Sequence, residues 1–202
     1  MRRTSFNLLS KIFLTYLKLI ALTGRMEIIN EEKLRKNTMV GYWHGDSYCM
    51  QLVLKRISRR VKNIDVIVTA DKRGDVIEDI ISYYGASAIR LPDGLSIRHF
   101  MRDLKEKCKN SEGILAASLD GPLGPLHEPK KLLFHLAAEA DKEVAYVHFK
   151  YRNVIRLRHR WDNYVIPLPF CRIVAEVEYL GFVSKEDLRD FSNYKKKLKV
   201  GA

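Results

Sequence analysis

Between Met39 and Phe149, five short apolar runs alternate with four amphipathic stretches. The runs are Met39 to Trp43, Asp65 to Ala70, Ser87 to Leu91, Gly113 to Leu119 and Val144 to Phe149. Their brevity and apolar or β-branched content suit buried strands. The stretches between them repeat apolar residues at helical spacing. Val76, Ile77, Ile80, Ile81 and Tyr84 do so before Gly85, and Ile97, Met101 and Leu104 do so after a Pro92-Asp93-Gly94 turn. Two further helices are expected, one ending near Ile57 and one over Lys131 to Ala140. Strands that take turns with helices pair in parallel and are covered on both faces. The expected fold is therefore α/β, with a mostly parallel central sheet flanked by helices. A chain of 202 residues is enough for one such domain, expected over 26–202.

The remaining segments are less regular. Glu27 to Asn37 is charged and reads as a connector. Tyr151 to Arg160 is basic and irregular, and Trp161-Asp162 and Pro167-Leu168-Pro169-Phe170 read as loops. Arg172 to Phe182 alternates as a strand. Ser184-Lys185-Glu186-Asp187 has the form of a capping box and opens a last helix, before Lys195, Lys196, Lys197 and Lys199.

Residues 1–25 carry Arg2, Arg3, Lys11, Lys18 and Arg25 and no acid. Phe6 to Leu22 is mostly apolar, but its two lysines make it a poor membrane span, and it lacks a small-residue cleavage site. Thr4, Lys11, Thr15 and Lys18 are spaced 7, 4 and 3 apart, a narrow polar stripe on an apolar helix. This is the pattern of an amphipathic helix at a membrane interface. Phe13 and Leu17 would lie on the lipid side, with Lys11 and Lys18 reaching anionic phosphates. The other reading is a helix that covers the domain core.

The formal net charge of +12 calls for an anionic partner: phospholipid headgroups, nucleic acid or a phosphorylated substrate. Lys55 to Lys62 holds five basic residues in eight and adds to such a surface. No aromatic–basic recognition motif accompanies the charge, so nucleic acid is not expected as a partner. Cys49, Cys108 and Cys171 form neither a metal pattern nor a disulfide framework, which suits a reducing compartment. No metal and no organic cofactor is expected.

Chemistry concentrates at two stretches. In Gly41-Tyr42-Trp43-His44-Gly45-Asp46-Ser47-Tyr48 the apolar run stops at His44, and Asp46 and Ser47 offer oxygens to cap the next helix. His44 thus sits at a strand-to-helix switch, where open α/β sheets place their sites. A neutral imidazole there can take a proton from a hydroxyl. The plain alternative is a buried His packed behind Trp43. The second stretch is Asp120-Gly121-Pro122-Leu123-Gly124-Pro125, which also follows a strand and so emerges at the same sheet edge. Arg90 ends a strand at that edge and could clamp a phosphate. The glycines admit an anion close to backbone N–H groups, and Lys130 and Lys131 would add to the field. A base, a cation and a tight loop on one rim suit group transfer to a hydroxyl beside a phosphate.

Tyr42-Trp43-His44-Gly45, Gly85 with Arg90, Asp120-Gly121-Pro122 with Gly124-Pro125, Trp161-Asp162 and Ile166-Pro167-Leu168-Pro169-Phe170 share an order and spacing. In these the chain resembles a family of bacterial lysophospholipid acyltransferase-like proteins, related to glycerolipid and lipid A acyltransferases. The likeness runs from about Lys33 to Phe182. It implies a glycerolipid acyltransferase-like fold. It also implies transfer of a fatty acyl chain from acyl-CoA or acyl carrier protein to a lipid hydroxyl at the cytoplasmic face of the inner membrane. The acceptor would be a lysophospholipid, glycolipid or lipid A-type molecule. His44 matches the family's general base, and Arg90 and Asp120-Gly121-Pro122 match motifs on the acceptor side. The wider superfamily places an acid five residues after the His, where this chain has Cys49. Asp46 is the nearest substitute and is expected to orient His44. Leu91-Pro92-Asp93-Gly94 and Leu123 replace further anion-binding positions. These departures motivate a second reading, a catalytically silent lipid-binding or scaffold protein of the same fold. In that reading His44 would lack both a carboxylate partner and an open pocket.

Overall fold

The computed structural model describes residues 8–92 and 97–198. Arg2, Arg3, Thr4 and Phe6 of the N-terminal stretch, Asp93 and Gly94 of the expected turn, and Lys199 lie outside the described residues. The strands are β1 (Arg25–Ile29), β2 (Thr38–Tyr42), β3 (Ile64–Thr69), β4 (Ser87–Leu91), β5 (Ile114–Ser118), β6 (Glu143–Leu157) and β7 (Tyr164–Phe182). They form one seven-stranded sheet in the order β1-β7-β6-β2-β5-β3-β4. Only β6 and β7 run antiparallel, so the expected mostly parallel sheet is present.

Helices cover both faces. On one lie α1 (Leu8–Thr23), α2 (Ser47–Ile57) and α3 (Lys72–Tyr83), packed with Leu17, Leu54, Val66 and Ile81. On the other lie α4 (Ile97–Asn110), α5 (Leu132–Ala140) and the short α6 (Lys185–Arg189) and α7 (Phe191–Tyr194), around Leu104, Leu119, Phe134 and Tyr146. β2 is buried along its whole length. A central parallel strand has no wet face, which is why its sequence runs apolar without alternation. The capping box at α6 forms as expected: Ser184 Oγ accepts from the Asp187 N–H, and Asp187 Oδ2 from the Ser184 N–H, both at 3.0 Å.

Two expectations fail. The supposed connector, Glu27 to Asn37, begins inside β1, which pairs in parallel with β7 from Arg25↔Arg172 to Ile29↔Glu176. It is an edge strand, and Arg25 and Glu27 point outward, as charged residues on edges do. Trp161-Asp162 lies in a turn as expected, but Tyr151 to Leu157 and Pro167 to Phe170 are strand. They belong to a long hairpin in which Val154 pairs with Pro167 and Leu157 with Tyr164. β1 covers β7 only from Arg172, so Pro167 and Pro169 sit where β7 has a free edge, the place a sheet tolerates proline. Outward-facing Arg152 and Arg156 hide the alternation.

α1 packs on β7 and α3 through Ser10, Leu14, Leu17 and Ile20. Ser10 Oγ donates to Asp79 at 2.5 Å, and the Tyr16 hydroxyl donates to the Pro167 carbonyl at 2.8 Å. Its opposite side leaves Leu8, Ile12, Leu19 and Leu22 exposed. Among the described residues no helix is long and apolar enough to cross a membrane.

Candidate active site

β2 delivers the chain to Trp43, and a single 3₁₀ turn over His44–Asp46 leads into α2. The turn is tied at several points. The Asp46 N–H donates to the Trp43 carbonyl at 2.9 Å, and Ser47 Oγ donates to the His44 carbonyl at 2.5 Å. The His44 N–H donates to Asp120 Oδ1 at 2.8 Å. Asp120 is wholly buried, and its other oxygen accepts from the His127 N–H at 3.4 Å. Burial pushes the Asp120 carboxyl up, against the pull of these N–H donors. Asp120 was expected to bind substrate. Instead it pins the backbone of His44 to the loop after β5.

The imidazole has a carboxylate partner. His44 Nδ1 lies 2.8 Å from Asp162 Oδ2, and the Asp162 side chain is fully enclosed. Arg160 holds both carboxylate oxygens, with Nε 2.9 Å from Oδ1 and Nη2 2.8 Å from Oδ2. Burial alone would raise the Asp162 pKa, but the hydrogen bonds from Arg160 and His44 outweigh it and hold the carboxyl below its ordinary range. An ionised acceptor at Nδ1 sets the tautomer: Nδ1 carries the proton and Nε2 keeps its lone pair.

Two glycines allow this closeness. A Cβ on Gly45 would strike the Asp162 backbone carbonyl, and one on Gly124 would lie 2.5 Å from the Trp161 ring. The Trp161 ring in turn lies 5.3 Å from the His44 ring, centroid to centroid. The loop after β5 therefore reaches the site twice, through Asp120 beneath the His44 backbone and through Gly124 beneath Trp161.

Asp46 does not orient His44. Its Oδ1 accepts from the Tyr151 hydroxyl at 2.5 Å, and its side chain makes no cap bond. Residues two apart on a helical turn do not face each other, so the turn that aims His44 at Asp162 aims Asp46 at β6. Burial pushes the Asp46 carboxyl up to about 6, with the Tyr151 hydroxyl and Arg156 opposing the shift. Cys49 is fully buried, which raises its thiol well above the ordinary value.

His44 lines a cavity of about 470 Å³ between α1, α3 and the sheet. α1 supplies Leu9, Phe13 and Leu17 to its wall, and α3 supplies Val76, Ile77 and Ile80. Among the described residues Arg160 and Lys72 are its only cations, and no acid lines it. Gly121 and Pro122 line the wall. The other proposed binding groups do not. Arg90 is spent on α3, with Nη2 2.6 Å from Asp75 and Nε 2.9 Å from Glu78. The Lys130 side chain is not part of the wall, though its N–H donates to the Leu119 carbonyl at 2.7 Å. Lys131 turns to the opposite helical layer, where Nζ donates to the Leu188 carbonyl at 3.1 Å. Leu17, expected to touch lipid, is 1% exposed and belongs to the core. Phe13 is at the surface and the cavity at once, and Lys11 is exposed. Lys18 is also exposed, with Nζ 4.4 Å from the Tyr83 ring centre. Among the described residues no cluster of His, Cys, Asp or Glu could hold a metal ion.

Reading the sequence missed Arg160 and Asp162 as site residues. They lie more than a hundred residues beyond His44, and only the shared Trp161-Asp162 motif marked the spot. The site thus comprises a partly exposed imidazole with an enclosed carboxylate behind it and an apolar cavity in front. No family model matches the chain and no curated protein matches it, so the geometry of these residues is what its function has to be read from.

Proposed function

We propose that the chain is an acyltransferase. It would move a fatty acyl chain from acyl-CoA or acyl carrier protein to a hydroxyl of a lysophospholipid, glycolipid or lipid A-type acceptor. The observation that carries this reading is the His44–Asp162 pair opening onto an apolar cavity. His44 Nε2 takes the proton of the acceptor hydroxyl as its oxygen attacks the thioester carbonyl. Asp162 stabilises the imidazolium that results. The tetrahedral intermediate then expels the thiolate, which recovers the proton from His44. The cavity wall from α1 and α3 suits the hydrocarbon chain. Arg160 and Lys72, at the same cavity, are placed to meet acceptor phosphate in place of Arg90. The resemblance to lysophospholipid acyltransferase-like proteins points the same way.

The protein would work as a peripheral protein on the cytoplasmic face of the inner membrane. The exposed stripe of Leu8, Ile12, Leu19 and Leu22 supports this, with Lys11 and Lys18 beside it. The silent-scaffold reading calls for a His without a carboxylate and without a pocket. The presence of both favours catalysis.

The deciding experiment follows radiolabelled acyl-CoA and acyl carrier protein with native lipid extract, using wild type, His44→Ala and Asp162→Asn. Labelled lipid from wild type alone supports transfer and identifies the acceptor. Equal label in all three proteins, or none in any, removes the reading.

A further inference from the structure

A second cavity, of about 480 Å³, opens where the C-terminal half of α1 meets α2 and the β1–β7 edge. Its chemistry differs from that of the acyl cavity. Five cations line it: Lys18, Arg25, Lys55, Arg56 and Arg59. No acid does. Arg56 is committed, to Glu31 at 3.2 Å and to the Met26 carbonyl at 3.2 Å. Among the described residues no acid pairs with Arg25, Lys55 or Arg59. Like charges crowded round one hollow repel each other, so the arrangement costs stability unless an anion enters. The inner wall is apolar, from Ile20, Leu52 and Ile173, and the rim includes Leu22, which is 84% exposed. Leu22 is also the last member of the outer apolar stripe of α1.

We infer that this cavity is a binding site for the headgroup of an anionic phospholipid, separate from the cavity beside His44. The cations neutralise the phosphate. The α1 stripe meets the acyl region of the same bilayer, so headgroup and hydrocarbon are contacted at their natural relative depths. The phosphodiester of the lipid, rather than its glycerol or chains, is what Arg25, Lys55 and Arg59 select. The inference rests on the membrane reading above but not on acyl transfer. It requires α1 to lie on the bilayer.

The test is vesicle binding. Wild-type protein is titrated with phosphatidylcholine vesicles and with vesicles that also contain phosphatidylglycerol. It is compared with the triple variant Arg25→Gln/Lys55→Gln/Arg59→Gln. A control variant, Lys109→Gln/Lys185→Gln/Arg189→Gln, loses the same charge from the opposite helical layer. A cation near an anionic surface is worth about fivefold in affinity, so the cavity variant should lose on the order of a hundredfold on anionic vesicles. The control should lose only a few-fold, and neutral vesicles should not separate the three proteins. Equal losses in the two variants would show attraction by net charge and overturn the site. So would wild-type binding that ignores phosphatidylglycerol. Displacement of wild type by millimolar glycerol phosphate, but not by chloride of equal ionic strength, would overturn the lipid assignment in favour of a soluble phosphate ester. Failure to bind any vesicle would overturn the membrane reading and this site together, while leaving transfer to a dispersed acceptor measurable.

Discussion

The Cβ that Gly45 lacks would stand 2.1 Å from the carbonyl oxygen of Asp162. A backbone oxygen cannot yield as a flexible side chain can, so any residue larger than glycine at 45 moves the loop that carries the acid. Gly45→Ala should therefore separate His44 from Asp162. A displacement of this kind costs about a hundredfold in turnover, and the overpacking about 1–3 kcal/mol of stability. Transfer assays beside a denaturant titration check both; wild-type turnover in the folded variant would show that the pair is not needed.

The partner of the base can be identified by comparing two aspartates. Asp162→Asn keeps the shape of the site but loses the ionised acceptor, and transfer should fall on the order of 10³- to 10⁴-fold. Asp46→Asn should stay within a few-fold of wild type, because Asp46 bonds Tyr151 and not His44. The opposite ranking would return the orienting role to Asp46.

The central strands and His44 were legible in the sequence because their signals are local. β2 ends where the apolar run ends, and His44 stands at the break before α2. What was not legible depends on pairing across the chain. β1 is an edge strand, and the far part of the β6–β7 hairpin, Tyr151 to Phe170, has no outer neighbour, so outward arginines and prolines mask a strand pattern that appears only once the partner strand is known. Asp162 looks like any acid in a polar turn until the hairpin folds over Gly45. Arg90 failed for a different reason: its neutralising acids, Asp75 and Glu78, lie on a helix whose existence was clear but whose facing toward β4 was not.

Asp46 should leave a mark on the pH dependence of stability. Its folded pKa of about 6 lies above the unfolded carboxylate value, so the native state holds the proton more tightly. Stability from this group is full below about pH 4 and is lost as pH rises through 6. At neutral pH the charge costs about 2 kcal/mol once solvent screening of the half-buried carboxyl is allowed for. Asp46→Asn can still accept from Tyr151 and should melt about 4–8 °C higher at pH 7.5, with the gap closing below about pH 4. A gap that stays constant with pH would contradict the shift.

Filling the cavity beside His44 should block ligand and spare the fold. Ile77 is partly buried on α3 and lines the cavity. Ile77→Trp places its added bulk in empty volume. Displacement of a fluorescent fatty acid should weaken by at least about tenfold, with less than about 1.5 kcal/mol lost in stability. Unchanged displacement would mean that the chain binds elsewhere.

The outer stripe of α1 can be removed without touching the core. Ile12→Ser/Leu19→Ser changes two exposed side chains, each worth about 1.5–3 kcal/mol if buried in lipid. Vesicle binding should fall by at least about a hundredfold while the melting temperature holds. Retained binding would take the bilayer away from this helix.

The imidazole draws its supports from 76 and 118 residues further along the chain, at Asp120 and Asp162. Contacts of such span are among the last a polypeptide can close, since each requires a long loop to be shut. A partly folded chain can already show helices, a parallel sheet and a compact radius while His44 still lacks its acid. Under the proposed acyl transfer, turnover is then a stricter gauge of complete folding than any spectroscopic measure of secondary structure. A preparation active in transfer only after slow annealing, yet native by circular dichroism throughout, would point to late docking of the hairpin.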